Sequence, residues 1–140
     1  MHDIDLKLLI GMHRNVNVID KKTAGLAYAE DLTIGQFAVL EVLHSKGDLP
    51  IGIVRDRILS SVGTISVIVK NLEQRGLVKR LPHENDRRIC ILSITEKGET
   101  VITKVIPKNT EMIRETFSVL TAVEKDELLR IMKKIGRRKY

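Results

Sequence analysis

The stretch Ser61-Val62-Gly63-Thr64-Ile65-Ser66-Val67-Ile68-Val69-Lys70-Asn71-Leu72-Glu73-Gln74-Arg75-Gly76 decides how the whole chain is read. At about 100° per residue, Val62, Ile65, Ile68, Val69 and Leu72 fall within roughly a third of a helix circumference, so that face packs inward. The opposite arc carries Gly63, Ser66, Val67 and Lys70, with Thr64 and Asn71 on one flank. Ser60 or Ser61 is a good N-cap, because its hydroxyl accepts an otherwise unsatisfied backbone N–H. Gly76 can adopt the left-handed conformation that ends helices.

Working upstream, Gly47, Asp48 and Pro50 open a short helix carrying Ile51, Val54 and Ile58, and a tight turn through residues 59–60 follows. Helix, turn, helix is the result. Before it, Thr33 and Gln36 match a capping box, in which hydroxyl and amide satisfy backbone donors at a helix start, and Phe37, Leu40 and Leu43 line the buried face. The first thirty or so residues carry Leu9, Met12, Val16 and Ile19 at helical spacing, with Gly25 expected to mark the weaker end.

Downstream, residues 77–81 and 89–94 are β-branched-rich runs flanking a polar segment, and they predict a β-hairpin with a long tip. The tip carries His83, Glu84, Asn85, Asp86, Arg87 and Arg88. Thr95 caps a further helix through Val101 and Val105, which Pro107 should kink or break near Val105, since proline lacks the amide and its ring clashes with the preceding turn. Thr121 and Glu124 repeat the capping box ahead of Leu128, Ile131 and Ile135. The expected fold is mainly α with a small β-hairpin wing.

The outward arc of the helix at 61–75 has the chemistry of a major-groove reader. Gly63 lets the backbone approach closely, Ser61 and Thr64 can bond phosphates near the positive helix terminus, and Ser66 lies on the same arc. Lys70 can reach a phosphate or a guanine, and Val67 a thymine methyl. Taken alone, this segment reads better as an ordinary amphipathic helix with a solvated polar face; the hairpin that follows reverses that preference. Arg87 and Arg88 at a loop tip suit a narrow minor groove with its negative potential, and Asp86 can position one guanidinium through a bidentate carboxylate pair.

With 140 residues, 43% hydrophobic and 30% charged, the chain fits one ordinary globular domain. A net charge of +6 favours a polyanionic partner. The single cysteine, Cys90, allows no intramolecular disulfide and reads as a small core residue. His2, His13, His44 and His83 form no compact metal-ligand motif. No catalytic base is spaced to serve Cys90 and no glycine loop would cradle phosphate, so neither an enzyme nor a cofactor is expected. The apolar stretches are too short for a membrane span or a secretory signal, which predicts a cytoplasmic protein.

The run Thr64-Ile65-Ser66-Val67-Ile68-Val69-Lys70-Asn71-Leu72-Glu73, the boundary Arg75-Gly76-Leu77-Val78, the wing Asp86-Arg87-Arg88 and the exit Leu92-Ser93-Ile94-Thr95-Glu96-Lys97-Gly98 resemble the multiple-antibiotic-resistance regulator (MarR) family. The resemblance implies a winged helix-turn-helix fold over about residues 32–98 within a single domain of residues 1–140. It further implies dimerisation helices at residues 1–30 and 99–140 that interlock two subunits. It also implies a homodimer on a palindromic double-stranded DNA operator, repression, and release by a small apolar or phenolic effector. Val67 departs from the family, which often carries a basic DNA-contacting residue there, so base preference does not transfer. A winged-helix protein-interaction module and a non-specific DNA-binding protein are the alternatives that the residues leave open.

Overall fold

The computed structural model describes residues 3–58 and 62–136, with the backbone alone at Val62 and Gly63. Nine elements follow in order among these residues: α1 (Ile4–Tyr28), α2 (Ile34–Lys46), β1 (Leu49–Pro50), α3 (Ile51–Ile58), α4 (Val62–Gln74), β2 (Val78–Pro82), β3 (Cys90–Ile94), α5 (Glu96–Phe117) and α6 (Ala122–Gly136). The chain divides into two compact units, residues 1–109 and 110–140, with the boundary inside α5.

In the first unit α2 is the central element. Its start is the predicted capping box: the Thr33 hydroxyl accepts from the Gln36 N–H at 3.1 Å, and Gln36 Oε1 accepts from the Thr33 N–H at 3.0 Å. Phe37, Val39, Leu40 and Leu43 are buried, and α2 packs against α1, α3, α4 and β3. The core they enter also holds Val54, Ile65, Val69, Leu72, Leu77, Leu92, Ile102 and Val105. Fully burying one such side chain stabilises by about 1.5–3 kcal/mol.

The hairpin has β2 and β3 antiparallel from Val78↔Ile94 to Pro82↔Cys90. A third strand was not foreseen. Leu49 and Pro50 pair with Leu92 and Ile91, which makes a sheet of order β1-β3-β2. A two-residue strand carries too little periodicity to be seen in sequence, and only the partner strand reveals it.

Two boundaries differ from expectation. Helix α1 passes through Gly25 and ends at Tyr28. Its stop is a hydrogen-bonded turn, with the Leu32 N–H donating to the Ala27 carbonyl and the Asp31 N–H to the Tyr28 carbonyl, both at 2.9 Å, while Asp31 takes the left-handed φ of 58°. Buried Ala27 and Leu32 flank that turn, so packing sets the end. Helix α5 likewise runs unbroken through Pro107. A proline inside a helix costs about 3 kcal/mol, and tertiary contacts on both sides offset it: Ile102 and Val105 are in the core, and buried Asn109 accepts a 2.7 Å hydrogen bond from the buried Thr23 hydroxyl of α1.

In the second unit, Thr121 and Glu124 form the expected capping box of α6, with bonds of 2.9 and 3.1 Å. The last part of α5 and α6 border an apolar cleft of about 290 Å³ lined by Ile113, Phe117, Leu120, Leu128, Leu129 and Met132 among others.

A close backbone approach lies at the start of α5. A Cβ on Gly98 would sit 2.2 Å from the Leu77 carbonyl oxygen, an atom that cannot move without shifting the turn after α4. Gly98→Ala is therefore expected to destabilise by at least about 1–3 kcal/mol, as overpacking does, whereas Gly25→Ala, with open space around it, stabilises slightly. Chemical denaturation of the two variants measures both; equal stability would show that the Leu77 turn yields freely.

Candidate nucleic-acid interface

Of the inward face that the period predicts, Ile65, Val69 and Leu72 are buried and Ile68 half-buried, while the Val62 side chain lies outside what is described. Thr64, Ser66, Val67, Lys70 and Asn71 are exposed. Gly63 lies in the first turn of α4. Ser61, and with it the proposed N-cap, lies outside the described residues. The helix ends as expected at Gly76, with φ of 72°, the Leu77 N–H bonding the Leu72 carbonyl and the Gly76 N–H the Glu73 carbonyl.

Around this turn lies a set of contacts of which the sequence foretold only the cap that Thr95 makes at the start of α5. Arg75 Nη1 donates to the Asp31 carbonyl at 2.6 Å, and Lys97 Nζ donates to the Arg75 carbonyl at 3.0 Å. The Thr95 hydroxyl donates to the Gly76 carbonyl at 2.6 Å and accepts from the Gly98 N–H at 3.1 Å. Arg80 on β2 reaches back to Glu73 on α4, Nε to Oε1 at 3.3 Å. Opposite charges on the two sides of a predicted turn at Gly76 were the only available signal for that last pair.

The wing tip is organised by its own side chains. His83 Nδ1 accepts the backbone N–H groups of both Asn85 and Asp86 at 3.1 Å, which places the ring proton on Nε2. Asp86 holds Arg88 as the sequence suggested: Arg88 Nε donates to Oδ1 at 3.2 Å, Nη2 to Oδ2 at 3.3 Å, and the Arg88 backbone N–H to Oδ1 at 2.9 Å. Despite this tether, the Arg88 side chain is 91% exposed. Arg87 is exposed beside it. The Arg88 side chain, then its backbone N–H, holds the Asp86 carboxyl below the usual carboxylate range.

Cys90 is half-buried on β3, with Arg80 Nη1 3.8 Å from its sulfur. His44 pairs with Glu99 at 2.5 Å, Nδ1 to Oε2. Among the described residues, no group of three or more His, Cys, Asp or Glu side chains is placed to hold a metal ion, and no helix is long and apolar enough to cross a membrane.

Exposed hydroxyls and one lysine on α4, and a tethered guanidinium on a hairpin tip, are a set of groups suited to anionic oxygens and base edges. Residues 32–90 match the family model of the MarR family. The HTH-type transcriptional regulator MhqR of Bacillus subtilis (strain 168) is 34% identical over 136 residues, covering 97% of this chain and 94% of that protein. The chain belongs to the MarR family. A crystal structure of a mutant MarR from Escherichia coli complexed with operator DNA superposes with a TM-score of 0.81 at 24% identity, covering 94% of each chain. Bordetella bronchiseptica BpsR, whose DNA binding is regulated by 6-hydroxynicotinic acid, superposes at 0.71 with 18% identity over 90% of this chain and 98% of its own. At these identities the structures establish the shared fold, mainly helical with the small antiparallel sheet of a winged helix.

The Asp86 and Arg88 pair sits in solvent, so it organises the tip more than it stabilises the fold. Because the Asp86 pKa is lowered, the pair is intact above the ordinary carboxylate range and is lost as pH falls through the lowered value. Asp86→Asn is expected to leave the melting temperature unchanged and to mobilise the Arg88 side chain, read by NMR relaxation of its Nε–H. Unaltered relaxation would mean that another group holds Arg88.

Proposed function

We propose that this MarR-family regulator binds double-stranded DNA as a homodimer and represses transcription from a palindromic operator until a small apolar or phenolic effector releases it. The observation that carries the reading is the pairing of an outward, polar and cationic α4 arc with an exposed arginine held ready by a carboxylate on the wing. Lys70, Thr64 and Ser66 are assigned to phosphates and base edges in the major groove, and Ser61 and Gly63 join them on the sequence pattern alone. Arg87 and Arg88 are assigned to the minor groove and Asp86 to supporting the wing. The fold neighbours bound to operator DNA and regulated by 6-hydroxynicotinic acid support an operator partner and control by a small molecule.

Residues 32–98 are the DNA-binding part, and residues 1–30 and 99–140 supply the dimer. Support for the latter is the apolar surface each unit leaves open. Leu6, Leu9, Met12 and Val16 of α1 are exposed, as are Val123, Leu129, Ile131 and Ile135 of α6. Faces of this kind mark association surfaces. The protein works in the cytoplasm and catalyses no reaction.

Selection of bound duplexes from a random DNA pool, followed by salt titration, tests the reading. The expected result is an enriched palindrome preferred roughly a thousandfold over scrambled DNA, with Arg88→Ala weakening it at least about fivefold. Absence of enrichment would instead point to a protein-contact role for the same surfaces. In sedimentation, the wild type is expected to run as a dimer and Val16→Glu as a folded monomer, since Val16 is exposed in the protomer.

A further inference from the structure

Val67 lies at the centre of the outward arc of α4 and is 59% exposed. Its same-face neighbours, three and four residues away, are Gly63, Thr64, Lys70 and Asn71. Among the described side chains of α4, Ile65, Ile68, Val69 and Leu72 turn inward, and Val67 is the large apolar group turned to solvent. A single exposed valine is ordinary on a protein surface. At a solvent-facing helix position, however, a β-branched residue forms helix less well than alanine, lysine or glutamate and gains little burial in return. Fold stability therefore gives no reason for valine here. Its position does: small residues occupy the turn before it, and the cation follows one turn later.

We infer that Val67 determines sequence specificity by packing its methyl groups against the C5-methyl of a thymine in each half-site. This rests on the DNA-binding reading above. The thymine methyl is the one apolar group that any base presents in the major groove. Valine offers neither donor nor acceptor to any base edge, so at T·A the methyl contact offsets the dehydration of those edges, whereas at G·C or C·G they stay dehydrated with no apolar contact in return. Selection is both attractive and repulsive: the methyl contact favours T·A, and the unmet polar edges disfavour the alternatives.

The test replaces each thymine of the selected operator, one symmetric pair at a time, by deoxyuridine, which removes only the methyl and leaves the hydrogen-bonding edge intact. Wild-type protein is expected to lose about fourfold in affinity per half-site at one position, the factor that burial of a single methyl group corresponds to. Val67→Ala is expected to bind the unmodified operator with a similar loss and to be indifferent to deoxyuridine at that position, while keeping its sensitivity elsewhere. Because alanine is the better helix former, the variant should melt at the same temperature or higher, which separates lost contact from lost fold. If the operator is bound but no deoxyuridine matters, or if Val67→Ala stays as sensitive as wild type at every position, the assignment of Val67 is wrong and DNA binding stands. If no duplex is selected at all, both readings fall.

Discussion

The hydroxyl of Thr95 holds together the parts on which the fold's function depends. It donates to the carbonyl of Gly76, where α4 ends, and accepts from the amide of Gly98, where α5 begins. The backbone N–H of Thr95 meanwhile donates to the Leu77 carbonyl at 3.0 Å. One residue thus satisfies the end of one helix and the start of another, and it does so at the end of the hairpin strand that leads back from the wing. The close approach of Gly98 to Leu77 exists because those bonds pull the two backbones together. Arg75 and Lys97 add bonds around the same turn, so the direction in which α4 leaves the core is over-determined.

The two groups of residues assigned to DNA are held by different physics. Helix α4 is fixed by burial of Ile65, Val69 and Leu72 against α2 and the sheet, so its outward side chains inherit the rigidity of the core. The wing tip has no such support. His83 gathers the amides of Asn85 and Asp86, and Asp86 gathers Arg88, in a short relay of local hydrogen bonds. Such a tip holds a guanidinium in place without burying it. The pair of Arg80 with Glu73 ties the first wing strand to α4, so the two assignments are mechanically linked.

Much of this was legible from local signals. The capping boxes at Thr33 and Thr121, the left-handed Gly76, the inward period of α4 and the carboxylate two residues before Arg88 are all decided within a few residues, by hydrogen bonds that short segments make with themselves. The same locality explains the misjudged boundaries. Gly25 and Pro107 weaken a helix in isolation, but Ala27 and Leu32 enter the core formed with distant elements, and Asn109 accepts a hydrogen bond from Thr23, 86 residues away. Tertiary packing overrides propensity where several buried contacts outweigh one unfavourable residue.

The sequence by itself determined which faces are apolar, where helices start, and which side chains are left outward on α4 and at the wing, because periodicity and capping are properties of adjacent residues. Only the tertiary structure decided that Leu49 and Pro50 pair with β3, that α5 continues past its proline, and that Thr95 and Lys97 close on the turn at Gly76. Each of these joins groups 15 or more residues apart. Such contacts form only after the chain has met the entropic cost of bringing its distant parts together, and nothing in a local pattern records which partner waits there.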